Sequence, residues 1–281
     1  MTRPAAIVCA GEALADRLRR DGDARRSHAG GPTWKVACAL AALRVASGFA
    51  GAISRCVAGD ALWRASAATG LDLRYLQRAG MPPDDAADLL FALASMPPGW
   101  RQEVQWLHLG SIRLARGLLD LTLITLAEQA KAHGLRISYD PHWHDLMGPA
   151  YDATLRRMSE LADVIKVADD DLRALFRSHD TLGSLVLLTR GTGGASLYHG
   201  AQAWHAKAPA LDVANAMGAV SAGEAGMAGL IYSLQQWPGA GMDAHLAFAV
   251  AAGGAACGAA GIPAPDLGAV RALVGAVTVT R

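Results

Sequence analysis

Between Asn215 and Leu230 the chain reads Asn-Ala-Met-Gly-Ala-Val-Ser-Ala-Gly-Glu-Ala-Gly-Met-Ala-Gly-Leu, small residues running without a break into an apolar segment. Where a helix starts, small side chains leave main-chain N–H groups exposed, and the helix dipole favours an anion there. Gly218, Ala222 and Gly223 are therefore candidates for cradling a phosphate. The same residues suit a helix packed closely through Ala and Gly, and composition alone puts that reading first. Asp16 follows a short apolar run closed by Gly11. In open α/β sheets ligands lie beyond the carboxyl ends of strands, where a carboxylate can hold substrate hydroxyls; taken alone, Asp16 also reads as a surface residue. Gly30 and Gly31 permit close backbone approach, and Thr33 behind them reads as the cap of a helix running to Leu43. His142 and His144 would begin a metal site with Asp140 or His108, but no third ligand is placed by spacing, and a loop pair is the better reading.

Positioning these residues takes alternating strands and helices. Apolar runs at 5–10, 49–54, 104–110, 136–140, 163–167 and 186–189 read as strands. Helical patterns lie between them, ending near 43, and at 59–68, 118–133, 149–161 and 169–176. Residues 71–100 read as loop with one short helix, 191–194 as a tight turn, and 195–199 with 203–206 as a hairpin. Two long helices and a short one follow Ser221. Such alternation predicts a doubly wound, mostly parallel α/β sheet covered on both faces. Neither a repeat nor a dividing linker is found, so residues 1–281 are expected to form a single domain.

With 281 residues, 52% hydrophobic and 18% charged, the chain is able to bury a sizeable core. The net charge of +1 and scattered basic residues exclude nucleic acid and anionic membrane as main partners. The densest basic stretch, 17–26, is interrupted by acids and reads as a solvated loop. Cys9, Cys38, Cys56 and Cys257 form no C-x-x-C pair and are expected to be buried free thiols of a reducing compartment. The amino-terminal apolar run is too short for a signal peptide, and the Ala/Gly-rich run 244–262 carries His245, which suits a core helix. A soluble cytoplasmic protein is expected. The seven Trp residues show no helical stripe and read as core or rim packing.

Seven segments in order resemble one family, the ribokinase-like carbohydrate kinases of the phosphofructokinase B (PfkB) type. They are Gly11-Glu-Ala-Leu-Ala-Asp16, Ala29-Gly-Gly-Pro-Thr-Trp34, Gly59-Asp-Ala-Leu-Trp63, Asp140-Pro141, Ala162-Asp-Val-Ile-Lys-Val167, Thr189-Arg-Gly-Thr-Gly-Gly-Ala195 and the stretch from Asn215. The resemblance implies a ribokinase-like fold and transfer of the γ-phosphoryl group of ATP to a sugar hydroxyl with Mg²⁺. Asp16, Gly30 and Gly31 would face the sugar, and Thr189, Gly191 and Gly194 would face ATP. The final stretch would supply an anion hole and a catalytic aspartate at a helix start. Phosphoryl transfer needs positioning and charge neutralisation more than covalent chemistry, which these parts suit.

Departures from the family pattern are as specific. Where the family has Asp-Thr-x-Gly-Ala-Gly-Asp, this chain has Asn215-Ala-Met-Gly-Ala-Val-Ser221, so Ser221 stands at the base position. Glu224 lies three residues on, about 4.5 Å along a helix and nearly on the same face, and would reach back as a misplaced base. Lys35 replaces an Asn and would stabilise phosphate charge from the sugar side. Asp140-Pro-His-Trp-His144 replaces Asp-Pro-Asn-x-Arg, and Cys56 replaces a common aspartate. Ala168-Asp-Asp-Asp171 leaves Asp171 alone in the metal role. The chain is short between Arg78 and Asp84, where the family builds a β lid, and between Arg177 and Leu185. The lid is therefore expected to be reduced or absent; an oligomer stays open, but a dimer through the lid does not fit. The resemblance thus implies an ATP-dependent sugar kinase whose activity is weak or lost. The alternative is a nucleotide- or sugar-binding protein, or a scaffold, without turnover.

Overall fold

The computed structural model describes residues 4–12, 15–17, 27–80, 91–110, 119–143, 147, 149–176, 184–208, 221–257 and 264–281. Strand β1 (Ile7–Gly11) is buried along its whole length. Its side chains alternate between two cores, as the two-residue period of a strand requires: Ile7 and Cys9 pack with Trp34 and Leu40, Val8 and Ala10 with Leu107 and Leu123. A strand apolar on both sides needs cover on both sides. Helix α1 (Pro32–Ala42) contributes to the first core and the helix Leu119–Ala132 to the second.

Strands β2 (Ala15–Arg17) and β3 (Ser27–Ala29) form a separate antiparallel ribbon that contacts helix α2 (Val57–Ala68). The main sheet continues with β4 (Ser47–Ile53), β5 (Leu76–Arg78), β6 (Trp106–Gly110), β7 (Arg136–Asp140), β8 (Val164–Ala168), β9 (Leu185–Thr189), β10 (Ala195–His199), β11 (Gln202–Ala206) and β12 (Val279–Thr280). Their spatial order is β12-β11-β10-β9-β8-β7-β6-β1-β4-β5, parallel from β9 to β5 and antiparallel beyond β9. From β1 the chain moves outward to β4 and β5, then returns to β1's other side and proceeds through β6 to β9. The strand order reverses between β1 and β6, and the crevice beyond such a reversal is where an open α/β sheet binds ligands.

The remaining helices are α3 (Trp100–Glu103), α4 (Leu119–Ala132), α5 (Asp152–Leu161), α6 (Asp169–Asp171), α7 (Ala222–Gln236), α8 (Met242–Cys257) and α9 (Leu267–Val274). Helices α7 and α8 touch through small residues. A Cβ on Gly229 would lie 2.6 Å from the Ala252 Cβ, and one on Gly253 would lie 2.9 Å from the Ala222 carbonyl oxygen. Close packing through Ala and Gly therefore holds for the body of α7. No helix among the described residues is long and apolar enough to cross a membrane.

Several local expectations change. Thr33 does not cap α1: Gly31 is the N-cap and Pro32 takes the first helical position, where its missing N–H costs nothing. The Thr33 hydroxyl instead donates across the sheet end to the Gly110 carbonyl oxygen at 2.6 Å. Helix α2 starts two residues before Gly59 because Cys56 caps it, its sulfur accepting the Gly59 N–H at 3.4 Å. Only Cys9 and Cys38 are fully buried, although all four cysteines are free. Strands β5 and β12 went unread because three and two residues are too few for alternation to show. Residues 169–176 form α6 and then a wider π-helical turn, Leu172–Phe176. Trp34, Trp100, Trp106 and Trp204 are buried, whereas Trp143 and Trp237 are exposed. The described strands outside the main sheet are those of the β2–β3 ribbon. Residues 81–84 of the shortened segment after Arg78, the stretch 177–183, most of the basic loop and His144 lie outside the described residues.

Candidate functional site

The crevice is built by residues that must be small. A Cβ on Gly11 would lie 2.2 Å from the Gly110 carbonyl oxygen, so the ends of β1 and β6 meet only because Gly11 has no side chain. Gly30 has φ +106°, and a Cβ there would fall 1.9 Å from Trp34 Cε3. A Cβ on Gly31 would fall 2.5 Å from the Glu12 carbonyl oxygen. These glycines bring the start of α1 onto the carboxyl end of β1, and Thr33 ties it to β6. Lys35 follows in the first turn, half-buried. Asp16 is placed in β2 opposite His28.

A cavity of about 650 Å³ opens beside this crevice, at the carboxyl ends of β7, β8 and β9. One wall is the first turn of α7, with Ala222, Gly223 and Glu224. Ser221 is the N-cap, buried, and makes no side-chain capping bond, which leaves first-turn N–H groups to other acceptors. It is not among the residues lining the cavity. Glu224, 5% exposed, does line it. Thr189, Gly191 and Gly194 line it as well. Gly194 has φ +89°, and a Cβ there would lie 2.1 Å from the Ala206 carbonyl oxygen, so the turn onto the hairpin depends on glycine. Seven of the candidate residues, scattered from Asp171 to Glu224 in sequence, thus surround one space. Gly30, Gly31 and Lys35 do not line that cavity but stand at the neighbouring crevice. Gly218 and the rest of 215–220 lie outside the described residues.

Asp171 is engaged more than its sequence role implied. Its Oδ2 accepts the Ala168 N–H and its Oδ1 accepts the Trp143 N–H, both at 2.8 Å. The carboxylate therefore fastens the segment after β7 to the end of β8, and each oxygen already holds a backbone donor. That segment is strained: His142 has φ +48°, a left-handed conformation unusual for a residue with a side chain, and it lines the cavity beside Trp143.

The group missed by sequence reasoning is Lys166. It sits within β8 on the face shared with Val164, because Ile165 and Val167 turn to the opposite core. Its ammonium donates to Asp140 Oδ2 at 2.8 Å, with the two residues only 4% and 2% exposed. Burial by itself pulls the Lys166 ammonium down, but the Asp140, Glu224 and Asp171 charges outweigh it and hold its pKa above the ordinary range. Burial likewise works against ionising Asp140, but Lys166, followed by His142, holds its carboxyl below the usual value. His108, beneath them, is pushed down to about 4 by burial, and its Nδ1 pairs with the Ser138 hydroxyl at 2.9 Å. The available signal was a lysine inside an apolar run: a charge in a strand buried on both faces must find a partner.

The comparisons agree with this architecture. The chain is 24% identical over 261 residues to a fructokinase of Escherichia coli, covering 80% of this chain and 82% of that protein. Among solved structures it matches a fructokinase of Xylella fastidiosa with bound ATP at a TM-score of 0.83 and 23% identity, over 96% of this chain and 98% of the other. It also matches a fructokinase of Vibrio cholerae with fructose, ADP and calcium bound, at a TM-score of 0.81 and 22% identity, over 97% and 99% of the two chains. Both likenesses are of fold, the ribokinase-like α/β arrangement. The sequence pattern of the pfkB family carbohydrate kinases matches residues 83–266, more than half of the chain, and the chain belongs to that family.

Proposed function

We propose that the chain binds ATP in the 650 Å³ cavity and a sugar in the adjoining crevice, and transfers the γ-phosphoryl group between them at a reduced rate. The observation that carries this reading is the meeting of Thr189, Gly191 and Gly194 with the open first turn of α7 around one space. Backbone N–H groups at a helix start are fixed donors that need no reorganisation as charge develops on phosphate oxygens. The sugar oxygen forms its bond to the γ-phosphorus, the bond to the β,γ-bridging oxygen breaks with its electron pair leaving on ADP, and Glu224 takes the hydroxyl proton. Asp16, Gly30, Gly31 and Lys35 bind the sugar side. The crystallised and curated relatives named above are fructokinases, which makes fructose the first sugar to try.

Glu224 and Asp171 offer only oxygen donors, which suits a hard cation such as Mg²⁺. No group of three ligand-type side chains converges among the described residues, so the ion would be held largely by phosphates and water, with Asp171 reached through water. When bound, Mg²⁺ neutralises charge on the phosphate oxygens. The protein acts as one domain in the cytoplasm, where ATP is supplied and free thiols persist.

A second reading is supported by Ser221 at the base position: a nucleotide binder without turnover. Loss of a general base costs about 10²–10⁴-fold in rate without abolishing binding. Titration calorimetry with Mg-ATP, then a phosphorylation screen over sugars with wild type and Glu224→Ala, separates the two. Turnover that falls by about 10²-fold in the variant supports the kinase. Binding with no turnover in either supports the second reading, and no nucleotide binding sinks both.

A further inference from the structure

Three carboxylates, Asp170, Asp171 and Glu224, line a cavity assigned here to a polyphosphate, and a fourth, Asp140, contacts a residue of its wall. Something must offset that repulsion. Among the described lining residues, Lys166 is the one with a permanent positive charge. Its position is specific: a Cβ on Gly223 would lie 3.5 Å from Lys166 Cε and 3.6 Å from Nζ, so the ammonium stands within contact distance of the first turn of α7. An ammonium has three donors. Here one goes to Asp140, and no second hydrogen bond is made among the described residues.

A purely structural ion pair would be sealed from the cavity with its polar atoms satisfied. This pair is not: Lys166 forms part of the cavity wall, and the buried Asp140 Oδ1 has no hydrogen-bond partner. Burying two charges is expensive and adds little net stability, so the pair is better explained by what the lysine can still bind. We propose that Lys166, aimed by Asp140, is the cation that receives the terminal phosphate of the nucleotide at the start of α7. The inference rests on the nucleotide reading above, but not on turnover. Lys166 forms no bond to phosphorus and gives up no proton; it balances charge on the phosphate oxygens whether or not the group is transferred.

The test compares ATP with adenosine, measured by calorimetry and competition, on wild type, Lys166→Met and the double variant Lys166→Met/Asp140→Asn. The double variant removes both buried charges and so keeps a folded control if the single variant, with an unpaired carboxylate, is unstable. Charge-assisted hydrogen bonds of this kind predict a loss of about 10–100-fold in ATP affinity in the folded variants, with adenosine affinity changed less than about threefold. Lys166→Arg, which keeps the charge but not the compact shape, is expected to recover part of it. A double variant that keeps the wild-type ratio of ATP to adenosine affinity overturns the inference while leaving the nucleotide site standing. Wild type that binds neither compound overturns both.

Discussion

Replacing Asp140 by Asn leaves the shape of the β7 end intact and removes the charge that faces Lys166. At 2.8 Å and an effective dielectric constant of about 20, the direct attraction is about 6 kcal/mol. Removing one partner of a buried pair costs about 3–5 kcal/mol, because the other charge is left uncompensated. Glu224 and Asp171 also hold Lys166 in its charged form, and the Asn oxygen still accepts a hydrogen bond, so the lower end, about 3 kcal/mol, is expected. Urea unfolding followed by tryptophan fluorescence reads this at pH 7. The pH dependence identifies its origin. Asp140 has its folded pKa below the unfolded value of about 3.9, so its contribution is complete above that value and is lost as pH falls through the folded one. Lys166 has its folded pKa above the unfolded value of about 10.4, so its share is complete below that value and is lost as pH rises through the folded one. The gap between wild type and variant is therefore flat from about pH 5 to 9 and narrows outside that range. A gap under about 1 kcal/mol at pH 7, or one that widens toward pH 3, would refute the argument.

Two further outcomes follow from the geometry. Gly30→Ala puts a methyl group into the ring of Trp34, which is fully buried and pinned by its indole N–H to the Ser66 hydroxyl at 2.8 Å. Positive φ and overpacking together predict a loss of about 2–5 kcal/mol, and an unchanged urea midpoint would contradict it. His108, pushed down to about 4 by burial, should stay neutral by NMR down to pH 5. Because the unfolded chain protonates it near 6.5, stability should fall as pH drops between about 6.5 and 4. A ring titration near 6.5 would show that the side chain is not buried as described.

The alternation of apolar runs with helical patterns was enough to read the doubly wound sheet, because a parallel strand covered on both faces is almost wholly apolar, as β1 is throughout and as β6 and β9 are but for His108 and Thr189. Gly191 and Gly194 were legible as well, since a tight turn with positive φ is most easily made by residues without a side chain. The small residues after Ser221 posed a choice in which composition put close packing first, and the tertiary structure shows that packing along the helix. The body of α7 packs on α8 through Gly229 against Ala249 and Ala252, while its first turn, with Ala222 against Gly253, lines the cavity. The Lys166–Asp140 pair was beyond reach, because its members lie 26 residues apart and meet only when β7 and β8 are laid side by side. Their neighbour Glu224 arrives on α7, 58 residues after Lys166 (224 − 166). Sequence determined which segments are buried and which backbone is bare; which charges share a cavity was decided by the order of the strands.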